Sequence, residues 1–149
     1  MISAQQIKDL REKTGAGISD IKKALEESGG DTAKAQAIIE ERLGSSAGKR
    51  AGRQTLAGTV DAYIHSNTRI GALVELHCET DFVSRNPSFK ALAHDIAMHI
   101  AAMEPADIAA LSAQPFVRDP GKTVADLVNE AIGRFGENIK IGKFIRYEI

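Results

Sequence analysis

The sequence predicts an α+β fold, in which a head of three short helices precedes a small, mostly antiparallel three-stranded sheet packed against helices. Two observations support this architecture. Apolar residues recur at helical spacing over residues 1–43, whereas from residue 56 onward two segments alternate apolar and polar residues with a period of two. The composition agrees, since 43% of the 149 residues are hydrophobic and 26% are charged, as in ordinary globular domains.

Charge and targeting features narrow the class of protein. The net charge of −1 argues against direct binding of nucleic acid, which usually requires a strongly basic domain. No apolar run approaches the roughly 18 residues of a membrane span, and the first residues lack the regions of a signal peptide. A single cysteine cannot close a disulfide within the chain, and it fits a reducing compartment. We therefore expect a cytoplasmic protein that does not bind membranes.

Residues 1–43 are predicted to form the helical head. Ser3 and Gln6 have the spacing of a capping box at the start of the first helix. Glycines at positions 15 and 17 and at positions 29 and 30 separate the helices, and Asp31 is a favourable N-cap for the third. Because helices this short are marginally stable alone, we expect them to pack on each other.

Residues 44–55 are predicted to be a linker between the head and the body. The stretch is small, polar and basic, which is typical of a solvated connection. Its side chains Lys49, Arg50 and Arg53 leave a contact with RNA as the alternative. No aromatic residues are interleaved there for base stacking, so the solvated linker is favoured.

The body, residues 56–149, is predicted from three patterns. A hairpin is expected because residues 60–65 and 70–78 alternate in polarity on either side of a turn-rich break. Pro87 begins an amphipathic helix, and another helix is expected from Thr123 to Phe135. The chain is expected to end in a strand with large apolar residues on both faces, because Ile139, Ile141, Ile145, Tyr147 and Ile149 alternate with Lys140, Gly142, Phe144 and Arg146.

No set of residues in the sequence predicts catalysis. The glycine-rich stretches lack the strand, turn and lysine of a phosphate-binding loop. His77 and Cys78 are neighbours on a strand and point to opposite faces, so they cannot act as a base and its nucleophile. His94 and His99 are five residues apart on a helix, which separates them by roughly 140° and prevents convergence on a metal ion. We expect no catalytic residue, no metal and no cofactor.

The segment from Cys78 to Asn86 is unusual for a connection between a strand and a helix. It contains two large apolar side chains, Phe82 and Val83, where such connections are usually polar. One explanation is that Phe82 caps the core beneath the loop. The other is that Phe82 is an apolar wedge for a pocket in a partner, with Asp81 and Arg85 setting its orientation.

The sequence resembles the translation elongation factor Ts family. Residues 10–25 are similar to the amino-terminal signature of that family, and residues 78–86 are similar to its second and most specific signature. Residues 114–139 are similar to its carboxyl-terminal part, and residues 63–71 are similar to a core element. These stretches follow the family order over nearly the whole chain.

The resemblance implies a guanine-nucleotide exchange factor that binds GDP-bound elongation factor Tu and is not an enzyme. The head would be UBA-like, similar to ubiquitin-associated domains, and would dock on the G domain of elongation factor Tu. The loop would insert Phe82 near the nucleotide site and disturb the magnesium ion, so that GDP leaves. The partner-binding positions that match the family are Arg11, Ile18, Ser19, Lys22, His65, Thr80, Asp81, Phe82, Val83 and Gly136.

Two departures from the family pattern affect this expectation. Ile18 and Ser19 stand where the family usually has two methionines, so Ser19 removes an apolar contact. The chain also has a single core unit, and only residues 103–112 stand where long members have a coiled coil. A second chain can supply what the other core supplies in long members, so we expect a homodimer. The alternative function is a binding or chaperone module that holds a translation protein without accelerating nucleotide release.

Overall fold

The computed structural model describes residues 1–149. The elements in chain order are α1 Ala4–Thr14, α2 Ile18–Glu27, α3 Thr32–Ser45, a 3₁₀ turn Ala47–Arg50, β1 Ala57–Ile64, β2 Ile70–Cys78, α4 Asp81–Ser84, α5 Pro87–Met103, α6 Ile108–Ala113, β3 Pro115–Phe116, β4 Asp119–Thr123, α7 Val124–Phe135 and β5 Lys140–Glu148. None of the helices combines the length and the hydrophobicity needed to cross a bilayer.

The three predicted head helices are present and share a small core. The capping box at the start of α1 is confirmed, because Ser3 Oγ accepts the Gln6 N–H at 3.1 Å and Gln6 Oε1 accepts the Ser3 N–H at 2.9 Å. Asp31 caps α3 by accepting the Lys34 N–H at 3.0 Å. The helices bury one apolar cluster: Leu10, Ile21, Leu25, Ala35 and Ile39.

The three long strands form one antiparallel sheet in the order β1–β2–β5, which confirms the predicted fold class. The predicted hairpin is β1 and β2, where Ala57 pairs with Cys78 and Ile64 pairs with Gly71. α5 covers the inner face of this sheet and α7 packs beside α5, with the rings of Phe89 and Phe135 meeting edge to face. The core between these layers includes Val74, Leu76, Phe89, Ile96, Ile100, Val124 and Ile132.

β1 presents its larger apolar residues to solvent rather than to α5. Val60 and Ile64 are 65% and 63% exposed, whereas Asp61 and Tyr63, which alternate with them, are half-buried. The inner positions Asp61 and Tyr63 contact His94 of α5, whose Nδ1 lies 3.2 Å from Asp61 Oδ1 and whose ring packs against the tyrosine ring. A polar contact therefore covers the inner side of β1 and leaves its apolar side free.

The alternation predicted for the last strand is confirmed from Phe144 to Tyr147, but Ile141 does not share the face of Ile145, because β5 contains a β-bulge. Val74 pairs with Phe144 but Leu76 pairs with Ile141, so two steps along β2 correspond to three along β5. The extra step turns Ile141 and Phe144 toward the core and places the residues after Phe144 in the opposite register. We define the outer sheet face as the exposed apolar surface formed by Val60, Ile64, Leu73, Ile145 and Tyr147.

Residues 44–55 lie against the body. The predicted solvation therefore holds for only part of this stretch. Ala47 is buried in the core of the body, where an apolar methyl is stabilised by exclusion from water. Asn138 Nδ2 donates to the carbonyl oxygens of Ala51 and Arg53 at 3.3 and 2.8 Å. Lys49 and Arg53 are exposed, in agreement with the expectation for the rest of the stretch.

The head packs against the body through α3 and α7. The contact is close because Gly133 has no side chain: a Cβ there would lie 2.7 Å from Leu43 Cα. Lys122 Nζ binds Glu40 of α3 at 2.8 Å and Glu130 of α7 at 3.1 Å. Burial alone would lower the pKa of Lys122, but the two carboxylates outweigh it and the pKa is raised. Burial raises the pKa of Glu130.

The hairpin of β3 and β4 was not predicted, and a buried histidine supports it. His99 of α5 is fully buried, and its Nε2 donates to Gln114 Oε1 at 2.9 Å. The Val117 N–H donates to His99 Nδ1 at 3.2 Å, and the imidazole stacks on Phe116. Burial lowers the pKa of His99, so the ring is neutral at pH 7 and acts as a structural link between α5 and the hairpin.

Candidate partner-binding surface

The segment that follows β2 is a one-turn helix, α4, rather than an irregular loop. Thr80 is its N-cap, since Thr80 Oγ1 accepts the Val83 N–H at 3.4 Å. Phe82 is 86% exposed, whereas Val83 is 5% exposed and belongs to the core of the body. The explanation in which Phe82 caps the core is therefore wrong, because the helical turn directs consecutive side chains apart and Val83 takes the core position.

The segment around this turn is apolar on the side that faces the core and polar on the side that faces solvent. Cys78 is fully buried at the end of β2, and its thiol donates to the Thr80 carbonyl oxygen at 3.2 Å. Burial raises the pKa of the Cys78 thiol, which keeps it protonated and unreactive at neutral pH. Asp81 and Arg85 are exposed in the same segment as Phe82, so the segment presents a charged group of each sign together with the apolar ring.

Glu137, a residue that the sequence analysis did not select, holds the turn from the other side. Its Oε1 accepts the N–H groups of Glu79 and Thr80 at 3.1 and 3.0 Å, and its Oε2 accepts the Thr80 hydroxyl at 2.7 Å. Glu79 and Glu137 are 58 positions apart in the chain, so local patterns carry no signal for this contact. The available signal was the family resemblance, because Glu137 lies within residues 114–139, the stretch that is similar to the carboxyl-terminal part of the family.

Gly136 ends α7 and lets the chain turn back toward α4. Its φ of 70° lies in the left-handed region that favours glycine, and its N–H donates to the Ile132 carbonyl oxygen at 2.9 Å. The turn places Glu137 next to Thr80. Gly136 is half-buried, so its contribution to the surface is the direction that it gives to the chain.

The candidate residues of the head lie at one corner of the three helices. Arg11 is in the last turn of α1, and Ile18, Ser19 and Lys22 are in the first half of α2. All four are exposed, with Ile18 at 45%. They flank the turn between α1 and α2 and combine one apolar side chain with two cations, an arrangement suited to docking on a partner of mixed polarity.

Arg134 connects this corner of the head with the end of α7. Arg134 Nε donates to the Thr14 carbonyl oxygen at 2.9 Å. Arg134 stands two residues before Gly136 and three before Glu137, the residue that holds the Thr80 turn. The carboxyl end of α7 therefore contacts both candidate regions, the head corner and α4.

His65 is not part of this group. It follows β1 at the end that is remote from Cys78, since Ala57 is the residue that pairs with Cys78. Eight residues of extended chain separate Ala57 from His65, which is roughly 25 Å. His65 is exposed and its Nδ1 lies 3.0 Å from the Tyr63 hydroxyl. One chain thus carries two separate candidate areas.

The histidines, the cysteine and the carboxylates do not gather into a metal or catalytic centre. No three of them are close enough together to hold a metal ion. His94 contacts Asp61, and His99 contacts Gln114 on the other side of α5. What the surface offers is an exposed ring, charged neighbours and a second exposed patch on the head, which are means of binding a protein.

Comparison with known proteins identifies the family. The sequence model described as elongation factor TS matches residues 79–149. The chain is similar to elongation factor Ts of Rubrobacter xylanophilus, with 40% identity covering 97% of each protein. It is also similar to elongation factor Ts of Leptospira biflexa (40% identity, 99% of this chain and 98% of the relative) and of Thermoanaerobacter sp. (42%, 99% and 95%).

The aligned relatives are longer than this chain. The alignment with the Rubrobacter protein extends over 190 positions, whereas the chain has 149 residues, so at least 41 positions have no counterpart here. The alignment nevertheless covers 97% of both proteins. The chain belongs to the elongation factor Ts family.

Proposed function

We propose that this chain is a guanine-nucleotide exchange factor, which binds GDP-bound elongation factor Tu during translation elongation and promotes release of GDP. Family membership supports the general role. The observation that carries the mechanism is the 86% exposure of Phe82 on a turn whose stem is buried and hydrogen-bonded. No covalent bond is made or broken, so the chain acts without a catalytic residue or a cofactor.

In this mechanism Phe82 inserts near the nucleotide site and disturbs the magnesium ion. Thr80 and Val83 fix the turn, and Asp81 precedes Phe82 in its first residues. Exposed phenylalanine is costly in water, and its burial in a pocket of the partner contributes roughly 1.5–3 kcal/mol of binding. Thermodynamic linkage requires the chain and GDP to weaken each other's binding to elongation factor Tu by the same factor.

The head contributes affinity in this proposal. Arg11, Ile18, Ser19 and Lys22 form an exposed patch that would dock on the G domain. Ser19 offers a hydroxyl where the family usually has an apolar side chain, so Ile18 carries the apolar part of this contact. Because the head packs on α7, its orientation toward α4 is set within the chain.

We further propose a homodimer formed through the outer sheet face. This face is continuous and apolar, and Tyr147 at 67% exposure and Ile64 at 63% are among its residues. Contiguous exposed apolar residues on a sheet mark an interaction site. A second copy of the chain is the occupant that also provides a second core unit, and the dimer would contain two Phe82 turns and two His65 side chains.

A second candidate function, a binding or chaperone module without exchange activity, is favoured by two observations. At least 41 aligned positions of the Rubrobacter relative are missing here, and Ser19 weakens the docking patch. Such a module would bind elongation factor Tu and leave the GDP release rate unchanged. The two functions share the docking surface and differ only in the effect of Phe82.

The experiment is GDP release from elongation factor Tu loaded with a fluorescent GDP analogue, with unlabelled GDP in excess. Exchange activity predicts a release rate that increases and saturates with the concentration of this chain. Co-purification with elongation factor Tu without any increase in the release rate would support the non-exchanging module instead.

A further inference from the structure

We propose that Glu137 is a positioning residue for exchange, which holds the Thr80–Val83 turn in the conformation that presents Phe82. The proposal rests on the proposed function, since a wedge must be held in order to act. In this proposal the residue that holds the turn lies outside the turn. Glu137 acts through Thr80 and does not need to touch the partner.

The contacts converge on one carboxylate. Two backbone N–H groups donate to Oε1 and one hydroxyl donates to Oε2, at 3.1, 3.0 and 2.7 Å. Hydrogen bonds to an ionised carboxylate are shorter and stronger than neutral ones. The donors are consecutive, Glu79 and Thr80, and they are the last residues before α4. Glu137 therefore fixes the backbone at the point where β2 passes into the turn.

Thr80 transmits this fixation to the turn that carries Phe82. Its hydroxyl donates to Glu137 and at the same time accepts the Val83 N–H at 3.4 Å. Phe82 lies between Thr80 and Val83 in the chain, and Val83 is anchored in the core. The ring is thus exposed, while the backbone on both sides of it is held.

The backbone next to Glu137 is itself held in place by burial and hydrogen bonds. The next residue, Asn138, is 2% exposed, and its side chain donates to the carbonyl oxygens of Ala51 and Arg53. The Asn138 N–H donates to Glu79 Oε2 at 3.1 Å. This hydrogen bond is the reciprocal of the one that the Glu79 N–H donates to Glu137. Glu79 and Glu137 each accept a backbone N–H from the other's segment, so neither segment moves without breaking both contacts.

The consequence for function is preorganisation. A turn that is already ordered in the free chain enters a pocket without a further loss of conformational freedom. When only a fraction of the molecules presents the competent conformation, the apparent affinity falls by that fraction. Removal of the Glu137 carboxylate should therefore weaken exchange through Phe82 and through nothing else.

The first measurement follows the turn in the free chain, without elongation factor Tu. The chain contains no tryptophan, so Phe82→Trp introduces its only indole at the exposed position, and this indole can be excited at wavelengths that tyrosine does not absorb. We expect Glu137→Ala to lower the residual time-resolved anisotropy of this indole, Glu137→Gln to lower it less, and the exposed control Glu41→Ala to leave it unchanged. Equal anisotropy in Glu137→Ala and Glu41→Ala would overturn the proposal.

The second measurement is a double-mutant cycle in the GDP release assay. Glu137→Ala is expected to reduce the second-order exchange constant about tenfold, as for a competent fraction of roughly one tenth. In the Phe82→Ala background it should have no further effect, because the two residues act as one unit. An equal reduction in both backgrounds would indicate a general structural role and overturn the proposal.

Absence of exchange by the unmodified chain would contradict the proposed function, and the anisotropy measurement would still decide whether Glu137 holds the turn. Should Glu137→Ala fail to fold, Glu137→Gln, which keeps one acceptor oxygen, replaces it in both measurements.

Discussion

Oε1 of Glu75 accepts the backbone N–H of Lys143 at 2.9 Å. Lys143 lies in the bulge of β5, where Gly142 and Lys143 have no partner residue in β2. The carboxylate of a β2 side chain thus satisfies a donor that the sheet ladder leaves unpaired. The same oxygen lies 3.2 Å from His77 Nε2. This contact stabilises the register that turns Ile145 and Tyr147 outward.

Substitution of Glu75 should destabilise the folded chain through the bulge. Glu75→Ala leaves the Lys143 N–H without its acceptor, so we expect a lower urea midpoint at pH 7, whereas Glu75→Gln keeps an acceptor oxygen and should lie closer to the unmodified chain. The hydrogen bond from the Lys143 N–H is the largest cause, and the hydrogen bond with His77 the second, of a Glu75 pKa below its ordinary 4.5. Its contribution is therefore present above pH 4.5 and is lost as the pH falls through the lowered value. Identical midpoints for the alanine and glutamine variants would show that the bulge does not depend on this acceptor.

Phe82→Ala should separate exchange from stability. The ring is 86% exposed, so we expect the free energy of unfolding to change by less than about 0.5 kcal/mol, while the GDP release rate at saturation falls strongly. The matched control is the next residue: Val83→Ala removes buried methyl groups and should cost about 1.5 kcal/mol or more. Urea denaturation and GDP release on both variants check this. Normal exchange by Phe82→Ala would remove the ring from the mechanism.

Gly133→Ala should loosen the head from the body. In a helix interior alanine is favoured over glycine by about 1 kcal/mol, so propensity alone predicts stabilisation. The added Cβ would lie 2.7 Å from Leu43 Cα, and relief of such overpacking typically costs 1–3 kcal/mol, so we expect net destabilisation of roughly that order. Faster proteolytic cleavage within residues 44–55 and a lower thermal midpoint would report the change. Gly48→Ala, where a Cβ meets no atom within 4 Å, is the control and should behave like the unmodified chain.

His99 should make stability depend on pH in the mildly acidic range. Burial lowers its pKa below 6.5, so the unfolded chain binds the proton more readily than the folded chain. Stability is therefore complete above about pH 6.5 and decreases as the pH falls from there toward the lowered pKa. Urea midpoints measured between pH 5 and pH 8 give the slope. We expect His99→Gln to remove most of this slope and the exposed control His65→Gln to retain it; a slope that survives in His99→Gln would assign it to another group.

The oligomeric state tests the outer sheet face. Light scattering at micromolar concentration should give twice the 16.0 kDa mass of the chain. Tyr147→Lys places a charge on the outer sheet face and should shift the mass toward the monomer. Ile108→Lys alters an apolar residue on α6 with 45% exposure, outside this face, and should leave the dimer intact. A monomer mass for the unmodified chain would refute the homodimer.

Local sequence patterns predicted those parts of the fold that local interactions stabilise. The capping box of Ser3 and Gln6, the hairpin of β1 and β2, and the helix that begins after Thr123 each depend on residues a few positions apart. The Phe82 segment was recognised as unusual, because two large apolar side chains in a polar connection are visible in the sequence itself.

Contacts between distant residues decided the rest. The sequence left open whether Phe82 is core or surface, and one helical turn resolved this by burying Val83 instead. The placement of Ile141 and Ile145 on opposite faces could not be predicted, because a bulge depends on pairing with β2 and on the acceptor that Glu75 provides. Glu137 was missed for the same physical reason: its three donors are brought to it only when the ends of β2 and α7 meet. Periodicity specifies which residues share a face of one element, whereas the partner of that face is set by the packing of the whole chain.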